Sequence, residues 1–156
     1  MNTITQQLAA LGHTLPAVKA PAANYLSYTL HDNLLFVAGQ IGRPGAARSV
    51  VVGAGLSAEA ARQEAEIAAL GVLAIINAVT DGDMQRVVQV QRLGVFIAAT
   101  ADFDGHSAIA NGASDLMVAV LGERGRHART AIGVASLPTG AAVEVDAIVR
   151  LQPVTA

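Results

Sequence analysis

Residues 142–151 constrain the fold most. Val143, Val145, Ala147, Val149 and Leu151 alternate there with Glu144, Asp146 and Arg150, and a period of two that separates apolar from charged side chains marks a strand buried on one face only. Such a strand needs a sheet beside it and a layer over one face of that sheet. Two stretches of helical period supply the layer. From Ser57, a good N-cap with Glu59 in the following turn, Ile67, Leu70 and Ala74 recur at helical spacing until Thr80-Asp81-Gly82. Residues 106–121 then place Ile109, Ala113, Leu116, Met117 and Val120 on one face.

The rest of the sheet is read around these elements. Residues 25–30 and 34–38 form two strands about the turn His31-Asp32-Asn33, and residues 49–52 a short third. Residues 87–99 form a long strand whose alternation changes phase, with Val88 and Val90 on one face and Leu93, Val95 and Ile97 on the other. A β-bulge near Arg92–Gly94 accounts for that shift. Residues 130–137 and 142–151, joined by Pro138-Thr139-Gly140, read as a closing hairpin. Residues 1–11 suit a short amphipathic helix ended by Gly12. The predicted order β-β-β-α-β-α-β-β is an α+β fold, one mixed sheet with two helices packed on one face. With 156 residues it forms a single domain, 1–156, in which residues 1–19 are an N-terminal extension.

Composition narrows the function. Cysteine is absent, which removes disulfides, thiolate nucleophiles and cysteine metal sites together. Of ten basic residues Lys19 is the one lysine, which leaves nine scattered arginines, and the net charge is −2; nucleic acid is a poor default partner for such a surface. Charged residues make up 14% of the chain and hydrophobic ones 53%, so part of the apolar surface is expected to be covered in an oligomer. No secretory signal and no uncharged span of bilayer length is present. A cytoplasmic protein without membrane contact is expected.

Among short motifs, Gly53-Ala54-Gly55-Leu56-Ser57-Ala58 matches the dinucleotide fingerprint as a pattern. A nucleotide site also needs a following parallel strand with an acidic residue at its end. Here the next acids, Asp81 and Asp83, precede the next strand, and the remaining chain is too short for a doubly wound sheet. His13, His31, His106 and His127 show no metal-ligand spacing, so no metal is expected. No serine lies in a nucleophile-elbow context, and Lys19 is a weak Schiff-base candidate. The predicted C-terminal hairpin would bring Arg129 near Glu144 and Asp146. An arginine fork can hold a carboxylate while a glutamate orients or deprotonates a water, or the two side chains can simply pair as a structural salt bridge. Spacing leaves both readings open.

The wider context of Arg129 carries a resemblance. Arg129-Thr130-Ala131-Ile132-Gly133-Val134-Ala135-Ser136-Leu137-Pro138, followed by Ala142-Val143-Glu144-Val145-Asp146-Ala147-Ile148, resembles the C-terminal signature of the YjgF/RidA family of enamine and imine deaminases, also called the L-PSP endoribonuclease family. Tyr25 and the run Asp32-Asn33-Leu34-Leu35-Phe36-Val37-Ala38-Gly39-Gln40-Ile41 resemble its first hairpin. Asn111-Gly112-Ala113-Ser114-Asp115-Leu116, Gly125-Arg126-His127-Ala128-Arg129 and Leu137-Pro138-Thr139-Gly140-Ala141-Ala142 are similar to a less characterised subgroup.

The resemblance implies a chorismate-mutase-like fold, a homotrimer with a cleft at each subunit interface, and hydrolytic deamination of small 2-imino or 2-enamino acids without a cofactor. It implies that Arg129 grips the substrate carboxylate, that Glu144 positions the hydrolytic water, and that Tyr25, Ala38, Gly39 and Asn111 line the cleft. Tyr25 is also open to a role in interface packing, and Asn111 to helix N-capping. Three departures mark this chain: Ala38 replaces the serine of the family's Ser-Gly-Gln turn, the segment 102–110 is longer than usual, and His127 stands where a Pro-Ala-Arg run is common. Two other functions are weighed, a non-catalytic trimer that binds small carboxylates and, with weaker support, an endoribonuclease.

Overall fold

The computed structural model describes residues 3–18, 20–45 and 50–153. After helix α1 (Ile4–Ala10), strands β1 (Tyr28–His31) and β2 (Leu34–Ile41) form a hairpin. Asp32 and Asn33 carry its two-residue turn at φ 47° and 64°, the left-handed pair that matches strand twist and that short Asx side chains tolerate. Two-residue strands β3 (Val51–Val52) and β4 (Gly55–Leu56) follow, then helix α2 (Ala58–Thr80), strand β5 (Val87–Ala98), helix α3 (His106–Leu121), strand β6 (Ala128–Val134) and strand β7 (Val143–Leu151).

Five strands form one sheet in the order β1-β2-β7-β5-β6, antiparallel except for the parallel pair β5/β6. Both long helices lie on one face. α2 packs over β2 and β7, and α3 over β5 and β6. Helix α2 starts where the sequence places it, with the Ser57 hydroxyl accepting the Ala60 N–H at 3.1 Å; it ends where Asp81 turns left-handed at φ 53°. At 23 residues it is long and apolar enough to cross a membrane, yet Ala61, Ala65, Ala68, Ala69, Val72 and Ile76 are all fully buried against the sheet and α3. It is the core helix. Ile4 and Leu8 of α1 are buried in the same core.

Three expectations are corrected. The third strand stands outside the main sheet. Val51 and Val52 pair in parallel with Gly55 and Leu56, and Ser49, expected to begin that strand, lies outside the described residues. The phase change in β5 is a pair of register shifts, between Val87 and Gln89 and between Val90 and Arg92, ahead of Arg92–Gly94. Most importantly, β6 and β7 are not a hairpin, because β5 runs between them. Strand β5, the α3 crossover and β6 form a β-α-β unit, and such a crossover brings its two strands side by side in parallel. The position that the hairpin would have given β7 is therefore taken by β5.

The glycines of the nucleotide-like motif serve this packing. Gly53 and Gly55 adopt φ of 89° and 99°, and a Cβ on Gly53 would collide with the hydroxyl of Thr100. They make a tight connection into α2.

Candidate active site

The register of β5 sets where the two chemically important side chains point. Arg129 registers with Leu93, a core residue, so it faces the helix layer. Glu144 registers with Phe96, whose other partner is Ile132, on the uncovered face. Neighbouring strands are about 4.8 Å apart, so β6 and β7 stand roughly 10 Å apart, with Arg129 and Glu144 on opposite faces. The expected approach of Arg129 to Glu144 and Asp146 does not occur within one chain. Arg129 forms no ion pair with a carboxylate of the described residues, which rules out the structural salt bridge with Glu144.

Arg129 is held by α3 instead. Its Nη1 donates to Asn111 Oδ1 at 2.9 Å and to Ser114 Oγ at 3.0 Å, and Nη2 donates to the Ser107 carbonyl at 3.4 Å. Asn111 and Ser114 are three residues apart and share a helix face. Asn111 is not the N-cap, since Gly105 holds that position. Its amide oxygen aims a guanidinium. Of the five N–H donors of Arg129, the Nε–H and one on Nη2 have no partner among the described residues, and these two form the side-on fork that matches a carboxylate.

Ser114 connects Arg129 to a histidine. His127 Nδ1 lies 2.6 Å from the Gly125 carbonyl and so carries the proton; Nε2 then accepts the Ser114 hydroxyl at 2.9 Å. Burial first, and the nearby Arg129 charge also, hold the His127 pKa below its ordinary value. The carbonyl of Gly125 acts in the other direction without prevailing. A neutral His127 keeps the Ser114 hydrogen directed to itself and the Ser114 lone pairs toward Arg129.

On the uncovered face Glu144 is half-buried, and its pKa is raised, first by burial and then by the like charge of Asp146. Asp146 is anchored by Arg92 Nη1 at 3.1 Å and the Gly94 N–H at 3.0 Å. The Glu144 carboxyl lies directly against Gly39, where a Cβ would come within 2.7 Å of its Cδ. Gly39 sits in the register shift of β2 between Val37 and Gln40. Ala38 just before it donates its N–H to the Ser27 carbonyl at 3.0 Å, and the Ala38 and Gly39 carbonyls accept from Gln40 Nε2 at 3.0 and 3.3 Å. Gly39 also lines a cavity of about 380 Å³ with Tyr25, which lies ahead of β1, 54% exposed. The chain thus separates Arg129 with Asn111 from Glu144 against Gly39, and the cavity that Tyr25 and Gly39 line includes none of Arg129, Asn111, Ala38 and Glu144. Lys19 lies outside the described residues. Among the described residues no three of His, Asp and Glu converge at metal-binding distance.

Residues 16–151 match the family model described as Endoribonuclease L-PSP. The chain belongs to the L-PSP, or YjgF/RidA, family. Protein TCP17 of Trypanosoma cruzi is 44% identical over 152 residues, which cover 96% of this chain and 94% of that protein. The crystal structure of Atu1372 from Agrobacterium tumefaciens, a protein of unknown function, superposes with a TM-score of 0.85 at 40% identity over 96% of this chain and 94% of its own. RidA from the Antarctic bacterium Psychrobacter sp. PAMC 21119 shares the fold at a TM-score of 0.54 and 23% identity, with coverage of 85% and 93%.

For this member of the L-PSP family, sequence reasoning missed Ser114 and His127 as parts of the arginine site. The signal was available: His127 is two residues before Arg129, the spacing that places both on one side of an extended chain, and Ser114 follows Asn111 at helical spacing. What hid it was the expectation that the partners of Arg129 lie on β7.

Proposed function

We propose that this L-PSP family member hydrolyses small 2-imino and 2-enamino acids to 2-keto acids and ammonia, in clefts between the subunits of a homotrimer. The observation that carries the reading is the half-filled guanidinium of Arg129, aimed by three acceptors from its own chain and left with a free side-on fork. In the proposed cleft, Arg129 and Asn111 of one copy face Glu144, Gly39, Ala38 and Tyr25 of another. The uncovered sheet face supports association, because Phe36 and Ile132 expose 41% and 44% of their surface there and an apolar face of this kind calls for a covering partner.

The mechanism follows from the charges. Arg129 binds the substrate carboxylate, which fixes the adjacent C=N carbon. Glu144, ionised but with a raised proton affinity, takes a proton from water as the water oxygen bonds to that carbon and the π electrons move to nitrogen. The protonated Glu144 then returns that proton to the amine nitrogen; as the carbinolamine hydroxyl gives its own proton to the regenerated Glu144 carboxylate, the C=O bond forms, the C–N bond breaks and ammonia leaves a 2-keto acid, and Glu144 passes the proton on to solvent. An enamine enters after protonation at carbon from solvent. No cofactor takes part in these steps.

The test is ammonia release from freshly generated 2-aminoacrylate and its imine. The wild type is expected to exceed the buffer rate, and Arg129→Lys, which keeps the charge but loses the fork, to lose at least about tenfold, one decade per roughly 1.4 kcal/mol. Equal rates with and without protein refute the reading. Glu144→Gln separates it from a carboxylate-binding trimer, since only turnover should fall. The ribonuclease activity in the family's description has less support: the net charge is −2 and Arg62, Arg92 and Arg126 are tied to carboxylates, whereas RNA binding calls for a basic surface.

A further inference from the structure

We propose that Ser114 and His127 are positioning residues, which fix the plane of the Arg129 guanidinium before substrate arrives and couple the capture of a carboxylate there to the uptake of a proton on the histidine ring; the inference rests on the function proposed above. Two acceptors, Asn111 Oδ1 at 2.9 Å and Ser114 Oγ at 3.0 Å, share the one nitrogen Nη1 of Arg129. A single hydrogen bond there would let the planar group swivel about it. Two in different directions set the plane, and with it the direction of the free fork. Of the two acceptors Asn111 is exposed and Ser114 partly buried, so the serine is the firmer one.

Ser114 can accept from Nη1 only while its own hydrogen points elsewhere. A serine within a helix ordinarily turns its hydroxyl to a backbone carbonyl one turn back. Here the hydroxyl lies 2.9 Å from His127 Nε2, and Nδ1 of the same ring lies 2.6 Å from the Gly125 carbonyl. Gly125 is itself wedged against α3, since a Cβ on it would stand 2.6 Å from the Met117 carbonyl carbon. The chain of bonds therefore starts at a residue seated on α3 and ends on Ser114 of the same helix, and the ring cannot turn over without losing both partners.

The same contacts join the charges. Burial holds the ring neutral first, and Arg129 is the charge that acts on it in the same direction. Glu123 and Arg126, which precede the ring in the chain, pair with each other at 2.9 Å, and Asp115, beside Ser114 on α3, pairs with Arg62 of α2 at 2.9 Å. From β5 the neutral Gln89 reaches the Arg126 carbonyl. A carboxylate seated in the fork offsets the Arg129 charge, so it removes one cause of the neutral ring and raises the proton affinity of His127. Ser114 has a second lone pair, so a protonated Nε2 can donate to it while Nη1 still does, the serine hydrogen turning back to the helix. The guanidinium stays in place. By reciprocity a proton on His127 tightens carboxylate binding, and capture strengthens as pH falls through the window between the pKa values of the free and the occupied site.

The test uses the full-length protein with pyruvate as a product-like carboxylate, measured by calorimetry alongside ammonia release from the imine of alanine. Ser114→Ala, and His127→Phe, which keeps a ring but no acceptor, are expected to weaken pyruvate binding about three- to tenfold, the cost of ordering one long side chain on binding, and to raise KM by more than they lower kcat. His127→Gln, whose amide oxygen can accept the Ser114 hydroxyl, is expected to restore affinity to within about twofold of the wild type. Saturating pyruvate should move the NMR titration midpoint of His127 upward, a readout that needs only the wild type. Binding at about pH 6, below the ordinary histidine value, should take up protons in the wild type and not in His127→Gln. Unchanged affinity in both Ser114→Ala and His127→Phe, a loss in His127→Phe that His127→Gln does not restore, or a His127 midpoint that pyruvate leaves in place or lowers overturns the inference, as does a wild type that fails to bind pyruvate. Any of these together with imine hydrolysis above the buffer rate leaves the deaminase reading intact. The expected binding and titration results without hydrolysis of any imine uphold the positioning roles and overturn the deaminase reading.

Discussion

Replacing Gly39 by alanine tests whether the position of one carboxyl group matters. Gly39 is not among the residues at positive φ, so alanine fits its backbone, and such a change usually stabilises by about 0.4–1 kcal/mol through the unfolded chain. The new Cβ would lie 2.7 Å from Glu144 Cδ and closer still to Oε1. The obstacle is the far end of a flexible side chain, which can rotate away, so the fold should tolerate the change. Against ordinary contact at about 3.5–4.0 Å, the carboxyl must move by roughly 1 Å. A misplacement of that size in a reacting group can cost about 10²-fold in rate. The expected outcome is therefore a folded protein with a melting temperature within about 2–4 °C of the wild type, the shift that roughly 1 kcal/mol produces at this size, and ammonia release reduced by about two decades. In the Glu144→Gln background the same change should cost nothing further, because the two act through one group. Full activity in folded Gly39→Ala would refute the assignment of Glu144 as the water-positioning group.

Other predictions follow from the same geometry. Because burial and Asp146 raise the Glu144 pKa, activity that needs its carboxylate should fall with decreasing pH above the ordinary glutamate range, and Asp146→Asn should move that acid limb of the kcat/KM profile to lower pH; an unmoved limb means Asp146 does not control Glu144. The His127 pKa is lowered in the fold, so between its folded value and about 6.5 the unfolded chain binds more protons and stability rises with pH. Melting temperatures should therefore drop as pH falls through that window, and His127→Gln should remove this component; equal slopes in both proteins would count against the buried neutral ring. Gly112 is buried in α3 with a Cβ position that collides with the Arg62 carbonyl oxygen of α2 and stands 3.1 Å from its carbon. Since backbone cannot rotate away, Gly112→Ala should destabilise by about 1–3 kcal/mol of overpacking, read as a lowered melting temperature, and an unchanged value would show that α2 and α3 can separate freely.

The elements most legible in the sequence were those whose signals are local. Ser57 as N-cap and Asp81 as the left-handed stop bound α2, and the alternation of β7 is seen in full, with Val143, Val145, Ala147, Val149 and Leu151 buried. The roles of Arg129 and Glu144 came from resemblance, whereas the ion pair of Arg43 with Glu64 spans 21 residues, and no local period encodes that contact. Strand 25–30 begins later than expected, at Tyr28, since Tyr25 leans into a cavity lined by the irregular segment around Pro16 and Pro21.

The misplaced C-terminal hairpin shows what decides a site in a sheet protein. Two strands with a short connector invite antiparallel pairing, but the competing signal, a strand, a 16-residue helix and a strand, required β5 and β6 to lie side by side in parallel. Once β5 is central, parity fixes the rest. Arg129 registers with Leu93 and Glu144 with Phe96; these are three residues apart with no register shift between them, and an odd separation on one strand means opposite faces. A bulge of one residue between positions 93 and 96 would have put both groups on the same face, still two strand spacings apart across β5. The register shifts fall earlier, before Arg92, so a single chain keeps its guanidinium and its carboxylate apart. If both act on one substrate, as the proposed mechanism requires, a second copy must bring them together, and loss of the oligomer should abolish turnover even where every subunit remains folded.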